Sequence, residues 1–401
     1  GLYQITSPAE LKWFANAAAV TQEIQGILKA NLDLNNQPWT PIGGITAEKA
    51  FAGSLDGGGF TISNLYVKSS GPAGLFYYNA GEIKNLTVSG LVIGADYCAG
   101  ITARNAGSIT DCATAVTVRG SNHTAGITGY NYGGTVSRCQ NSGSIQGGQY
   151  VAGIVAHNVG VVSTCSNSGL IWATGSFAAG VVGDNESAAT LAGTVASCAN
   201  SGHVVSTSAA ALSFVGGVVG RNNNQVSGLY NTGNVECLGS CVGGALGLNT
   251  SGATASGLYS SGDVTGANVE TATGEDYRIG GAVGNVISGV SDAYYLDTIS
   301  IATTTGGTPV SAGELAQKVG ALANLLVEKP AISGTLELQG TIEVGGNVTA
   351  AYTGDTSDRD LMLYVWHLNF GDEESALAIT DENTYQIPET LAGYRLHVKA
   401  L

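Results

Sequence analysis

The sequence predicts an all-β chain. Most of it is read as a right-handed parallel β-helix, a solenoid with an N-terminal capping helix, followed by a small antiparallel sandwich. Three observations point there. Seven units open on a glycine and an apolar residue, at Gly74, Gly100, Gly126, Gly153, Gly180, Gly217 and Gly244, and each has an asparagine five residues on. The chain holds 60 Gly, a content that argues against helices because each interior glycine costs a helix roughly 1 kcal/mol. No proline falls between Pro72 and Pro309, as expected where nearly every N–H joins a bond to the next turn.

Residues 1–310 are read as the solenoid with its cap. In "LYQITSPAELKWFANAA", Ser7 can serve as N-cap with Pro8 at N1 and Glu10 at N3, which opens an amphipathic helix. The stretches "ANLDLNNQPWTPIGG" and "FAGSLDGGGFTISNLYV" alternate like strands between turns. From Gly74 to Asp297 the repeat governs, and Gly281 opens an eighth unit. A unit of about 27 residues without a helix cannot bury its apolar face alone, whereas stacked units share one core with turns ~4.8 Å apart. The asparagines Asn79, Asn105, Asn131, Asn158, Asn185, Asn222 and Asn249 then form a column whose amides bond along the axis. A second recurring turn, Asn-Ser-Gly, begins at Asn141, Asn167 and Asn200. Two longer units insert loops near residues 184–193 and 263–278. Residues 311–330, with Ser311 and Glu314 at capping-box spacing, read as a helix that closes the coil or links onward. Residues 331–401 alternate as strands of a small sandwich with Trp366 as the core aromatic.

The units "FAGSLDGGGFTISNLYV", "GLFYYNAGEIKNLTVSG" and "AGIVAHNVGVVSTCSNSG" resemble those of GLUG-repeat bacterial surface proteins, a likeness covering about residues 1–300. Residues 331–401 resemble a bacterial immunoglobulin-like module. The resemblance implies an exported or wall-associated protein, secreted or on the cell surface, with any wall attachment outside this segment. The GLUG motif also accompanies immunoglobulin A-cleaving metallopeptidases. That chemistry does not carry over, because none of His123, His157, His203, His367 or His397 is followed by the Glu of a His-Glu-x-x-His motif.

Charge narrows the partners. The net charge is −15, and from Asn85 to Gln317 there is no Lys and only five Arg. Nucleic acid, anionic lipid and polyuronates need basic surfaces and are disfavoured. No run reaches the ~18 apolar residues of a membrane span. The chain starts without Met or a signal peptide, so residue 1 is expected to follow a removed segment.

Residues that could carry chemistry were weighed against structural roles. Cys112, Cys139, Cys165 and Cys198 recur in the repeat and are read as an inward ladder of small apolar groups. Cys237 and Cys241 stay open as a disulfide pair, and no metal site or cofactor is expected. Four residues after the repeat glycine runs a polar column, of which Tyr78, Arg104, Tyr130, His157 and Arg221 are the candidate binding residues on a solvent-facing stripe. Three residues before that glycine stand Tyr97, His123, Tyr150, Phe177, Phe214, Cys241 and Arg278. Period-2 alternation reads these as inward core stacking, with a carbohydrate platform as the alternative. No catalytic set is assigned. An enzymatic alternative would use the carboxylates Asp184 with Glu186, and Glu275 with Asp276. The function expected is an exported binding or adhesion protein using a rigid rod, with a glycan or a host or partner protein as ligand. The alternatives are a carbohydrate-active enzyme of glycoside hydrolase or polysaccharide lyase type, and a spacer without ligand.

Overall fold

The computed structural model describes residues 1–210, 212–266, 269–270, 276–277, 279–287, 289–301 and 306–326. Beyond these it describes the strand segments 334–340, 347–354, 364–370, 373–380, 384–386 and 395–400. The chain winds as a parallel β-solenoid of about ten turns. One turn shows the plan. Asp96–Ala99 lies in a seven-stranded sheet, Thr102–Asn105 in an eight-stranded sheet, and Ser108–Thr110 with Ala113–Arg119 in a sheet of 23 strands. The next turn repeats this in strict register, with Thr128, Tyr130 and Asn131 beside Thr102, Arg104 and Asn105. Like residues therefore stack on like.

The interior is a set of apolar columns. Ile101, Ile127, Ile154, Val181 and Val218 are fully buried, as are Ile83, Ile109, Val136 and Val162 across the coil. Each such side chain contributes roughly 1.5–3 kcal/mol when removed from water. The cysteine column sits inside as well. Cys139 and Cys165 direct their thiols at the carbonyl two residues back, and Leu229 and Leu258 extend the column beyond Cys198. All seven cysteines are free and buried, Cys237 and Cys241 included, so that pair forms no disulfide. Burial pushes the Cys98 and Cys241 thiols up to about 12, which leaves them unreactive.

Two ladders of buried asparagines run along the axis. In the first, Asn79, Asn105, Asn131 and Asn158 each donate from Nδ2 to the Oδ1 of the next asparagine at 2.8 Å. In the second, Asn141 donates to Asn167 at 2.7 Å and Asn167 to Asn200 at 2.8 Å. Each amide also bonds the backbone of its own turn, as Asn167 Nδ2 does to the Gly169 carbonyl at 2.9 Å. The ladders explain the repeat glycine. A Cβ at Gly153 would overlap the Asn167 side-chain amide and the Gly180 carbonyl, and Gly126 and Gly180 meet Asn141 and Asn200 in the same way. The glycine is thus the socket for the second ladder.

The ends differ from expectation in one place. Helix α1 (Pro8–Ala18) forms with Ser7 as its N-cap, and Leu11, Phe14, Ala15 and Ala18 are buried in the solenoid's core. A strand at Leu2–Ile5 precedes it and pairs in parallel with Gln25–Leu28, so the sheet begins before the helix. Helix α2 (Ala312–Val319) carries the capping box of Ser311 and Glu314. It lies along the outer face of the large sheet, where Lys318 Nζ stands 3.7 Å over the Tyr294 ring and Leu322 of the following turn reaches toward Gly228. The C-terminal strands make two three-stranded antiparallel sheets, with Trp366 fully buried among Val348, Ala350 and Tyr364.

Candidate functional site

The two columns that flank the repeat glycine meet on the outside of one corner. Tyr97, His123, Tyr150, Phe177 and Phe214 all have left-handed backbone, with φ of 58°, 52°, 55°, 64° and 43°. A left-handed residue turns the chain and breaks the alternation of faces, so Tyr97 follows Asp96 outward while Cys98 points in. The expected inward aromatic core is therefore corrected. Tyr97, His123, Tyr150 and Phe177 form a half-buried outer ladder, and among the described residues of the column only Phe214 and Cys241 are sealed; Arg278 lies outside the described residues. Ring centroids are 4.6 Å apart for Tyr97–His123, 4.7 Å for His123–Tyr150 and 4.5 Å for Tyr150–Phe177, with planes within 12°. Each inner ring has its faces covered by its neighbours. What meets solvent is ring edge.

Against this ladder leans the polar column. Register places Tyr78, Arg104, Tyr130, His157, Asp184, Arg221 and Leu248 side by side in the eight-stranded sheet. The Arg104 guanidinium stands 4.2 Å over the Tyr97 ring, and Arg221 stands 4.9 Å over Phe177. Tyr130 and His157 rings are 4.9 Å apart, and Tyr150 and His157 are 5.4 Å apart. The stripe expected to face solvent is half-buried for Tyr78, Arg104, Tyr130, His157 and Arg221, while Asp184 and Leu248 are buried. Burial, reinforced by its neighbour Tyr132, raises the Tyr130 phenol, and burial likewise raises Tyr150. Both present neutral hydroxyls. Burial, and next the adjoining His157, lower His123 to about 4, so it stays uncharged within its stack.

At one level Glu186 adds a fourth group. The extra residues after Asn185 fold into an antiparallel hairpin pairing Ser187–Ala188 with Leu191–Ala192, and the Gly193 N–H closes it on the Glu186 carbonyl at 2.8 Å. Glu186 itself is held beside the column by its N–H, which bonds the Asn158 carbonyl at 2.9 Å as Val159 N–H bonds the Asn131 carbonyl one turn earlier. Arg221 grips Asp184 through two parallel bonds, Nε to Oδ1 at 2.8 Å and Nη2 to Oδ2 at 2.7 Å, and also bonds Glu186 Oε1. His157 Nε2 stands 3.2 Å from Glu186 Oε2 without meeting hydrogen-bond geometry, and it has no solvent contact. Burial raises the Asp184 carboxyl above its ordinary value although Arg221 pulls it down. For Arg221 burial acts downward, but the bonds to Asp184 outweigh it and its pKa rises.

Replacing Arg221 with methionine leaves Asp184 buried without its cation. About 2 kcal/mol of stability is expected to be lost in urea unfolding at neutral pH, discounted for the partial exposure of the guanidinium. The deficit should shrink on acidification. The folded-state pKa of Asp184 would then lie further above its unfolded value, and such a group stabilises below the unfolded pKa and loses that contribution as pH rises.

Of the alternative carboxylates, Asp184 and Glu186 come together, but Arg221 occupies both Asp184 oxygens. Glu275 lies outside the described residues, as does the side chain of Asp276, whose strand Asp276–Tyr277 pairs with Val269–Glu270. Sequence reasoning missed the meeting of the two columns and the tie between Glu186 and His157, which are 29 residues apart by number. The available signal was the recurring large ring before each unit, with Asp, Asn or Gln preceding it at residues 96, 122 and 149.

No family model matches the chain, and no curated protein matches it. Among solved structures, a crystal structure from Bacteroides ovatus described as a "putative immunoglobulin A1 protease" is similar. The two share 17% identity with a TM-score of 0.50, over 79% of this chain and 86% of that one. At that identity the likeness concerns the fold.

Proposed function

We propose that the chain is an exported or cell-surface binding protein whose solenoid is a rigid rod, and that the aromatic and polar corner is its ligand face. One observation carries the reading: two columns on either side of the repeat glycine pack into one strip of Tyr, Arg, His and Phe on the outside of the coil. Over six turns at ~4.8 Å such a strip spans about 25 Å. Tyr and Arg are the residues that protein interfaces favour. Sugars bind aromatic residues by lying on a ring face, and here the inner rings cover one another's faces. A protein ligand, contacted through ring edges, phenol hydroxyls and guanidinium edges, therefore fits better than a glycan. The resemblance of the repeats to GLUG units and of residues 331–401 to a bacterial immunoglobulin-like module supports the surface role and the exported setting.

The enzymatic alternative has less support. Tyr130 and Tyr150 are held protonated and Asp184 is locked by Arg221, so none of the three supplies a free base. The test is binding of the purified chain to protein and glycan arrays, repeated with Arg104→Ala and Tyr130→Ala. The expected result is a protein ligand whose signal falls tenfold or more in the double variant, about 1.4 kcal/mol or beyond. A glycan-only signal would overturn the choice of ligand. Ligand binding unchanged in the double variant would overturn the corner as its site.

A further inference from the structure

The group beside the hairpin has a feature that a binding strip does not require. His157 Nε2 is shut off from solvent, has no hydrogen-bond partner, and lies 3.2 Å from Glu186 Oε2. That distance is close to the separation of two ligand atoms on one tetrahedral ion, about 3.3 Å for bonds of 2.0–2.1 Å. Ligand atoms of His157, Asp184 and Glu186 all lie within 4.8 Å of one another. The Arg221 bond uses the other Glu186 oxygen, Oε1, so Oε2 faces the imidazole unclaimed. The Asp184 oxygens each accept one bond from Arg221 and keep a lone pair.

We propose that His157 and Glu186, with Asp184 as third ligand, bind one divalent transition ion of the zinc class. A nitrogen and carboxylate set of this kind suits zinc better than calcium or magnesium, which take oxygen ligands only. Two carboxylates against one guanidinium give the groups around the imidazole a formal charge of −1, so a dication is attracted. The guanidinium of Arg221 serves as an outer partner that orients both carboxylates, the role such groups play around metal sites. Glu186 follows the ladder asparagine of its turn, where Tyr132, Val159 and Asn223 stand in other turns, so the ligand set arises only where the turns of His157 and Asp184 stack and not throughout the repeat. Searching for metal motifs by sequence spacing expects none here, because stacking of turns and not local spacing assembles the ligands. The inference does not rest on the ligand face proposed above.

The experiment is calorimetric titration of Zn2+ into the full chain after chelator treatment, with Co2+ absorption as a second readout of nitrogen and oxygen coordination. One equivalent is expected to bind in the wild type. His157→Gln and Glu186→Gln should each weaken that event about tenfold or more, and Asp111→Asn, on a different face, should leave it unchanged. Far-UV circular dichroism of the variants shows that they fold, and the position tolerates exchange because other turns carry Tyr130 and Arg221 there. Absence of a stoichiometric event in the wild type would overturn the proposal. So would an event of unchanged affinity in both ligand variants, which would place the ion elsewhere, such as on His203, His367 or His397.

Discussion

Substituting Gly153 by valine is expected to remove about 4 kcal/mol or more of stability, the range reserved for mutations that break a packed network. The reason is geometric. The Gly153 N–H bonds the Gly180 carbonyl at 3.0 Å, and the Gly126 N–H bonds the Gly153 carbonyl at 3.0 Å. A side chain there must displace either this backbone run or Asn167, which stands in the second ladder between Asn141 and Asn200. Neither is a flexible side-chain end, so the strain cannot be relieved locally. Urea unfolding of the variant measures the loss. Gly313→Ala is the control, since nothing lies near that glycine and alanine favours helix α2, with an expected gain of at most about 1 kcal/mol.

Asn158→Ala is expected to cost about 3 kcal/mol, from stranding several buried groups at once. The Asn158 amide donates to Asn185 Oδ1 at 2.8 Å and to the Gly160 carbonyl at 3.1 Å. Its oxygen accepts from Asn131 Nδ2 at 2.8 Å and from the Gly160 N–H at 3.1 Å. Alanine fills none of these, and water has no route in because the residue is fully buried. Asn223→Ala, on an exposed residue just past the corner, should fall within about 0.5 kcal/mol of wild type. Hydrogen exchange would separate this from a uniform loss. Protection should drop most in the turns holding Asn131, Asn158 and Asn185, because each turn of a solenoid leans only on its neighbours.

The sequence made the solenoid legible because stacking converts a chemical repeat into a spatial column. Gly153, Asn158 and Cys165 recur at matched offsets, and each was assigned a place in a stack that the structure bears out. The same logic failed at the aromatic column. Alternation puts Tyr97 on the side of Ala99, whereas its left-handed φ sends it to the other side, and a non-glycine residue in that conformation gives no local signal. The function of the repeat glycine was likewise hidden. Its partner Asn167 lies in another part of the turn, and only three-dimensional winding brings the two together. The Glu186 contact was hidden because the residue following the ladder asparagine changes identity from turn to turn, with Tyr132, Val159, Glu186 and Asn223 in sequence, and gives no recurring signal. The strand Leu2–Ile5 went unread because a helix separates it from its neighbour Gln25–Leu28.

The central claim, that the corner of stacked rings and guanidinium groups is the ligand face of a rod, is tested most directly by a photo-crosslinking residue placed at Tyr130 and, separately, at Ala115. Both positions belong to the repeat, with Tyr130 on the corner and Ala115 exposed on the large sheet. The account predicts that the ligand found on the arrays is captured from Tyr130 and not from Ala115. Capture from Ala115 with none from Tyr130 would contradict it and move the ligand to the large sheet.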